Sequence, residues 1–87
     1  MPLTPEGTTF GATLKRLREE RGLTQEKLAN HARLGSDAMT SNYISDLERG
    51  TKAPSLKTIL KLAYALDHPP ADLLADFTPV VLRRLFK

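Results

Sequence analysis

The sequence has no cysteine, no tryptophan and only two histidines. Without cysteine the chain has no disulfide, no thiolate metal ligand and no cysteine nucleophile, which favours a reducing, cytoplasmic setting. The two histidines are isolated in the sequence, so we expect neither a metal site nor a cofactor. No apolar run approaches the ~20 residues that span a bilayer, and the first residues lack the pattern of a secretion signal. We therefore expect a cytoplasmic protein that has no membrane partner.

The net charge of this chain of 87 residues is also small. Residues 1–82 carry ten basic and ten acidic side chains, so the net charge of +3 comes entirely from Arg83, Arg84 and Lys87. Bulk charge therefore gives no support for nucleic-acid binding, which has to be argued from local placement. One local strip does stand out, because residues 49–61 contain four basic side chains and no acidic one.

Helical periodicity runs through most of the chain, and no useful β-alternation interrupts it. Threonine precedes four of the helical segments as a candidate N-cap (Thr8 or Thr9, Thr24, Thr40 and Thr78), and glycine follows two of them as a candidate stop. The predicted helices span about residues 9–21, 25–33, 41–49, 56–66 and 70–75, and residues 80–86 could add one or two turns. Thr8 or Thr9 is the expected cap of the first helix. The sequence thus predicts an all-α fold of five helices with an optional sixth.

The predicted helices divide the chain into three parts. Residues 1–7 are expected to be a flexible N-terminal arm, residues 8–77 a helical domain, and residues 78–87 a tail or a short helix. The apolar face of each helix is expected to point inward. The expected inward residues are Phe10, Leu14, Leu17, Arg18, Leu28, Ala29, Ala32, Ile44, Leu47, Leu56, Ile59, Leu60, Ala63, Leu66, Leu73, Leu74 and Phe77.

Three segments taken together resemble a known family. Residues 17–29 (LREERGLTQEKLA), 43–50 (YISDLERG) and 54–56 (PSL) are similar in order and spacing to the Xre/Cro family of phage-repressor-like regulators. The resemblance covers roughly residues 10–77. It implies a compact five-helix bundle of the phage-repressor DNA-binding type and a sequence-specific, DNA-binding transcriptional regulator. In such proteins helix 3, here about residues 41–49, enters the major groove of double-stranded DNA.

The chain departs from this family between helices 2 and 3. Residues 33–38 make the connection about five residues longer than the family's tight turn. Met39 then takes the apolar position of the turn, and Thr40 caps helix 3. The insertion either lengthens helix 2 or forms a loop, and we expect it at the surface.

The resemblance assigns DNA contacts to outward residues. Asparagine can pair with adenine, aspartate can accept only from an amino group such as that of cytosine, and serine discriminates less. The expected base contacts are Ser41, Asn42, Ser45 and Asp46. The expected DNA backbone contacts are Gln25, Tyr43, Arg49, Thr51, Lys52 and Lys57. The alternatives are a solvated surface for the helix 3 residues, packing beside the turn for Tyr43, and a solubilising role for the basic loop.

Arg18 and Glu48 are assigned to structure rather than to DNA. The resemblance implies a partly buried ion pair between them that ties helix 1 to helix 3. Gln25 begins helix 2, where free backbone N–H groups favour a phosphate. Its side chain is implied either to touch the DNA backbone or to brace helix 3.

The C-terminal residues carry an apolar stripe of Val81, Leu82, Leu85 and Phe86, with Arg83, Arg84 and Lys87 opposite it. The stripe could pack on the chain's own core, on a second copy of the chain or, as the weakest option, on a membrane surface. We expect a homodimer, because a single recognition helix reads only a few base pairs and discriminates poorly. The expected interface is Leu74, Phe77, Val81, Leu85 and Phe86.

The leading hypothesis is therefore a DNA-binding transcriptional regulator. The alternative is an antitoxin-like interaction module that binds a partner protein. We do not expect an enzyme, because the sequence has no Ser/His/Asp set, no phosphate-binding glycine loop and no cluster of carboxylates. A domain of this size also rarely forms both a core and a deep cleft.

Overall fold

The computed structural model describes residues 5–34 and 39–86. These residues form a succession of helices and contain no strand. The helices are α1 (Pro5–Glu20), α2 (Gln25–Ala32), α3 (Ser41–Arg49), α4 (Leu56–Leu66), α5 (Pro70–Leu73) and α6 (Pro79–Leu85). The predicted all-α fold is confirmed, and α6 is the optional sixth helix.

Local signals set the ends of these helices. The hydroxyl groups of Thr24 and Thr40 each accept a hydrogen bond of 3.1 Å from the backbone N–H three residues further on. Thr78 caps α6 in the same way at 3.3 Å. Gly22 and Gly50 follow α1 and α3 with φ angles of 69° and 81°, which glycine adopts at little cost. The predicted caps of α2, α3 and α6 are therefore present.

The start of α1 differs from the prediction. The helix begins at Pro5, so residues 5–7 are helical instead of belonging to a flexible arm. Thr8 and Thr9 consequently lie inside the helix and do not cap it. Proline is tolerated in a first turn because its missing N–H needs no partner there, and the hydroxyl of Thr9 donates to the Pro5 carbonyl at 3.0 Å. Residues 1–4, the rest of the predicted arm, lie outside the described residues.

The core lies where α1 to α5 meet. α3 packs against both α1 and α2, and α4 packs against α2 and α5. The buried apolar residues are Phe10, Leu14, Leu17, Leu28, Ala29, Ala32, Met39, Ile44, Leu47, Leu62, Ala63, Leu66 and Leu73. The inward faces predicted for the first three helices are confirmed, as is the apolar turn position of Met39.

The inward face of α4 was predicted correctly for Ile59, Ala63 and Leu66 and wrongly for Leu56 and Leu60. Leu56 and Leu60 are 70% and 48% exposed, and Leu62 is buried in their place. Apolar residues cover more than half of the circumference of this helix, so its periodicity does not single out one buried face. Leu56, Leu60 and Tyr64 lie at i, i+4 and i+8 and form an exposed row, which we call the α4 stripe.

The connection between α2 and α3 is described only at its two ends. α2 ends at Ala32, so the insertion does not lengthen that helix. The Nε of Arg33 donates to the carbonyl oxygen of Met39 at 3.4 Å, which brings the two ends of the insertion together. Residues 35–38 lie outside the described residues, and the predicted surface loop stays a prediction. Within residues 5–34 and 39–86, no helix combines the length and the apolar character that crossing a bilayer requires.

Candidate nucleic-acid interface

Arg18 and Glu48 join α1 to α3 through a nearly buried ion pair. The Nε of Arg18 lies 2.5 Å from Oε2 of Glu48, and the two side chains are 11% and 4% exposed. A second guanidinium nitrogen donates to Oε1 of Glu48 at 3.0 Å, and a third donates to the carbonyl of Leu23 at 2.8 Å. The hydrogen bond to Glu48 raises the pKa of Arg18 above its ordinary value. This bidentate contact fixes the direction of α3 relative to α1.

Gln25 adds a contact from α2 to the same carboxylate. Its side-chain amide donates to Oε1 of Glu48 at 3.1 Å. Of the two contacts expected for Gln25, bracing of α3 is thus present, and a contact with the DNA backbone stays a prediction. α3 is held by α1 and α2 through one acidic residue.

The outward side of α3 is polar. The four residues expected to contact bases all belong to α3, namely Ser41, Asn42, Ser45 and Asp46. Asn42 and Arg49 are exposed, while Asp46 is half-buried. These three residues are spaced i, i+4 and i+7, and they lie on the side of the helix opposite the buried Ile44 and Leu47. The structure therefore leaves this polar face free of the core.

Asp46 contacts two of the residues expected to bind phosphate. Its Oδ1 lies 2.6 Å from a guanidinium nitrogen of Arg49, and its Oδ2 lies 3.2 Å from Nζ of Lys52. Hydrogen bonds from Arg49 and then from Lys52 lower the pKa of the Asp46 carboxyl group. The Nζ of Lys52 also lies 5.8 Å from the centre of the Tyr43 ring. We call Asp46, Arg49 and Lys52 the Asp46 cluster.

The loop after α3 folds back onto this cluster. The backbone N–H and the hydroxyl of Thr51 lie 3.0 and 3.1 Å from the backbone carbonyl of Asp46. Thr51 therefore positions Lys52 beside α3, a structural contact that exists independently of DNA. Lys57 is exposed in the first turn of α4 and lies outside the cluster.

The C-terminal surface is only partly covered. Leu74, predicted to point inward, is 42% exposed, and Phe86 is 82% exposed. Phe77 packs against the core, and Val81 and Leu85 are half-buried. Of the expected interface, Phe77 therefore packs on the chain's own core, whereas Leu74 and Phe86 remain exposed.

Sequence reasoning missed two contacts that hold the site. Gly11 is buried against the backbone of α3. Its position inside a helix, next to inward-facing Phe10, was a usable signal, since such a glycine usually has a packing reason. Thr13 is buried and hydrogen-bonds to the carboxylate of Asp76, and no local signal links two residues so far apart in the chain.

α2 and α3 pack against each other as the two helices of a helix-turn-helix do, with α3 in the position of the recognition helix. A protein-family model described as a helix-turn-helix domain matches residues 9–77. The chain belongs to this family, and it is a DNA-binding transcriptional regulator. The resemblance to the Xre/Cro proteins is confirmed.

Individual relatives support this assignment. The control protein C.BamHI of Bacillus amyloliquefaciens is 42% identical over 72 residues, which cover 82% of each chain. The solved structure of the restriction–modification controller protein C.AhdI from Aeromonas hydrophila has a TM-score of 0.70 and 40% identity, and the match covers 78% of this chain and 96% of that one. The clp gene regulator ClgR from C. glutamicum has a TM-score of 0.72 and 32% identity, with coverage of 87% and 90%.

Proposed function

We propose that the protein binds a two-fold symmetric DNA site as a homodimer, with α3 of each copy in the major groove. The observation that carries this proposal is that two other helices fix the orientation of α3. Glu48, on its inner side, is bound by Arg18 and Gln25 from two other helices. A helix held in this way presents its outer side in a fixed direction, and base recognition needs such a fixed direction.

The proposed base contacts come from the outer side of α3. Asn42 is the strongest candidate, because it is exposed and its amide can donate to N7 of adenine while its carbonyl oxygen accepts from the N6 amino group. Ser41 and Ser45 lie beside it and would add less selective hydrogen bonds. Asp46 could accept only from an amino group of a base.

The proposed phosphate contacts flank this surface. Arg49 and Lys52 lie at the end of α3 and in the loop after it, and Lys57 follows on α4, so a stretch of sequence with three cations and no acidic residue borders the helix. Gln25, Tyr43 and Thr51 complete the proposed set, each with an internal contact that positions it. Contacts of this kind fix the register of the protein on the duplex and carry no sequence information.

The proposed dimer follows from the arithmetic of specificity. Each mismatched base pair costs ~1–3 kcal/mol, so one helix discriminates poorly against a genome of competing sites. Two copies would place their recognition helices about 34–36 Å apart, one turn of the duplex. A two-fold interface uses the same surface on both copies.

The C-terminal surface is the proposed interface, namely Leu74, Phe77, Val81, Leu85 and Phe86. Its support is the exposure of Phe86 and Leu74 and the neighbouring arginines, since aromatic residues and arginine are enriched at interfaces. The α4 stripe is a second exposed apolar surface that the sequence did not predict. The relatives named above come from bacteria, in which DNA lies in the cytoplasm, so we also propose cytoplasmic action.

Selection from a random pool tests the proposed function. The wild-type protein is mixed with duplexes of random sequence, and bound duplexes are recovered and sequenced over several rounds. We expect enrichment of an inverted repeat whose halves are about one helical turn apart. Recovery of duplexes without any shared sequence would contradict the proposal.

A further inference from the structure

Asp46 places a negative charge on the surface that is proposed to meet DNA. Its carboxylate is bound at both oxygens, by Arg49 at 2.6 Å and by Lys52 at 3.2 Å. Asp46 lies on the outer side of α3, between Asn42 and Arg49 in the helical repeat. A carboxylate at this place neutralises one of the two positive charges that would otherwise face the phosphates.

We propose that Asp46 is a specificity-determining residue that weakens binding to other DNA more than binding to the correct site, by holding Arg49 and Lys52 in internal ion pairs and by repelling acceptor atoms of the bases. This inference rests on the proposed function. Its consequence is a larger ratio between affinity for the correct site and affinity for other DNA.

The charge balance gives the physical reason. Binding to DNA of any sequence comes almost entirely from cations that displace counterions at phosphates. The Asp46 cluster carries two positive charges and one negative charge, so it offers the phosphates only one net charge. In addition, a carboxylate repels the acceptor atoms of guanine and thymine in the major groove, and therefore penalises most sequences. A base pair that presents an amino group to Asp46 avoids this repulsion, so the penalty at the correct site is smaller than at other sequences.

The structure separates this role from that of a base contact. Both oxygens of Asp46 already accept hydrogen bonds from cations of the same chain, so an amino group of a base would have to share or displace them. Asp46 also has a distinct structural part, because its backbone carbonyl receives the hydrogen bonds of Thr51. Replacing the side chain with an amide leaves that backbone contact in place.

The variant Asp46→Asn tests the proposal in the full chain. Affinity is measured over a range of salt concentrations for a short duplex of random sequence and for a duplex enriched by the wild-type protein. For the random duplex we expect ~10-fold tighter binding at low salt and a salt slope that is steeper by ~1. For the enriched duplex we expect a smaller gain, so the ratio of the two affinities falls.

Asp67→Asn is the matched control. Asp67 also binds an arginine, Arg21 at 3.2 Å, and is exposed at the far end of α4. Its φ of 56° suits asparagine as well as aspartate, so the backbone is preserved. The control loses the same charge, and we expect no change in the salt slope.

Adding Lys52→Ala to Asp46→Asn identifies the released cation. We expect the salt slope of this double variant to return to that of the wild type. Loss of affinity for the enriched duplex alone in Asp46→Asn would overturn the proposal in favour of a base contact. An unchanged slope, with or without a lower melting temperature, would overturn it in favour of a structural role. Failure of the wild type to enrich any sequence would instead contradict the proposed function.

Discussion

Gly11 of α1 lies against the backbone of α3 at Glu48. A Cβ atom at position 11 would be 2.5 Å from the carbonyl oxygen of Glu48, a distance that non-bonded carbon and oxygen atoms do not tolerate. The obstructing atom belongs to the backbone and cannot rotate away. The same residue of α3 receives the guanidinium group of Arg18 through its side chain. α1 therefore fixes α3 through shape at the backbone and through charge at the side chain.

The variant Gly11→Ala should destabilise the protein, although alanine favours helix formation. Inside an unobstructed helix this change would raise the free energy of unfolding by about 1 kcal/mol. Here the methyl group has to push α3 away, and overpacking of this kind costs ~1–3 kcal/mol, so we expect a net loss. Urea unfolding measures it. Gly22→Ala is the control. A Cβ atom at position 22 has no atom within 4 Å, and the variant is strained only by the positive φ of that residue, so its affinity for DNA should be unchanged. If Gly11→Ala raised the free energy of unfolding, α1 and α3 would have to lie further apart than they do in this structure.

Breaking the Arg18–Glu48 pair should destabilise the protein far more than breaking a surface pair. Arg18→Met leaves the carboxylate of Glu48 buried without its main partner, which costs about 3 kcal/mol or more. The exposed pair Arg16–Glu20, 3.4 Å apart on the same helix, is the control, and Arg16→Met should cost ~0.5 kcal/mol or less. Equal losses in the two variants, measured by urea unfolding, would contradict the role assigned to the buried pair.

The sequence predicted those parts of the fold that local chemistry decides. Thr24, Thr40 and Gly50 cap helices through contacts within a few residues, and such contacts are visible in a sequence. The inward face of α4 was not fully predictable, because apolar residues surround most of that helix and only its neighbours select the buried side. Likewise, the residues expected at the DNA surface followed from a resemblance, whereas the ion pairs of Asp46 depend on how Gly50 turns the chain back.

Asn42→Ala and Lys52→Ala should weaken DNA binding in different ways. Asn42 is exposed, so its loss should leave the fold intact, cost ~1–3 kcal/mol at the enriched duplex and relax the preference at one base pair. Lys52→Ala should weaken binding to every duplex and make the salt slope shallower by ~1, because one phosphate contact is lost. Titrations at several salt concentrations distinguish the two patterns. If Asn42→Ala kept full affinity and the same base preference, the assignment of base contacts to α3 would be wrong.

Phe86→Asp should convert the proposed dimer into a folded monomer with weaker operator binding. Phe86 is 82% exposed, so a charge there disturbs a partner surface and not the core. Leu60→Asp, in the α4 stripe, is the matched variant on the other exposed apolar surface. Sedimentation reports the mass of each protein. Dissociation by Leu60→Asp together with an intact Phe86→Asp dimer would move the interface to α4.

The most direct test of the central claim is an interference footprint on the enriched duplex. Guanine N7 lies in the major groove and adenine N3 in the minor groove, so methylation of one or the other reports which groove the protein needs. Duplexes are methylated sparsely, and those that still bind the protein are separated and analysed. The account predicts that N7 methylation of guanine blocks binding in two patches about one helical turn apart. Interference confined to adenine N3 would contradict recognition of the major groove by α3.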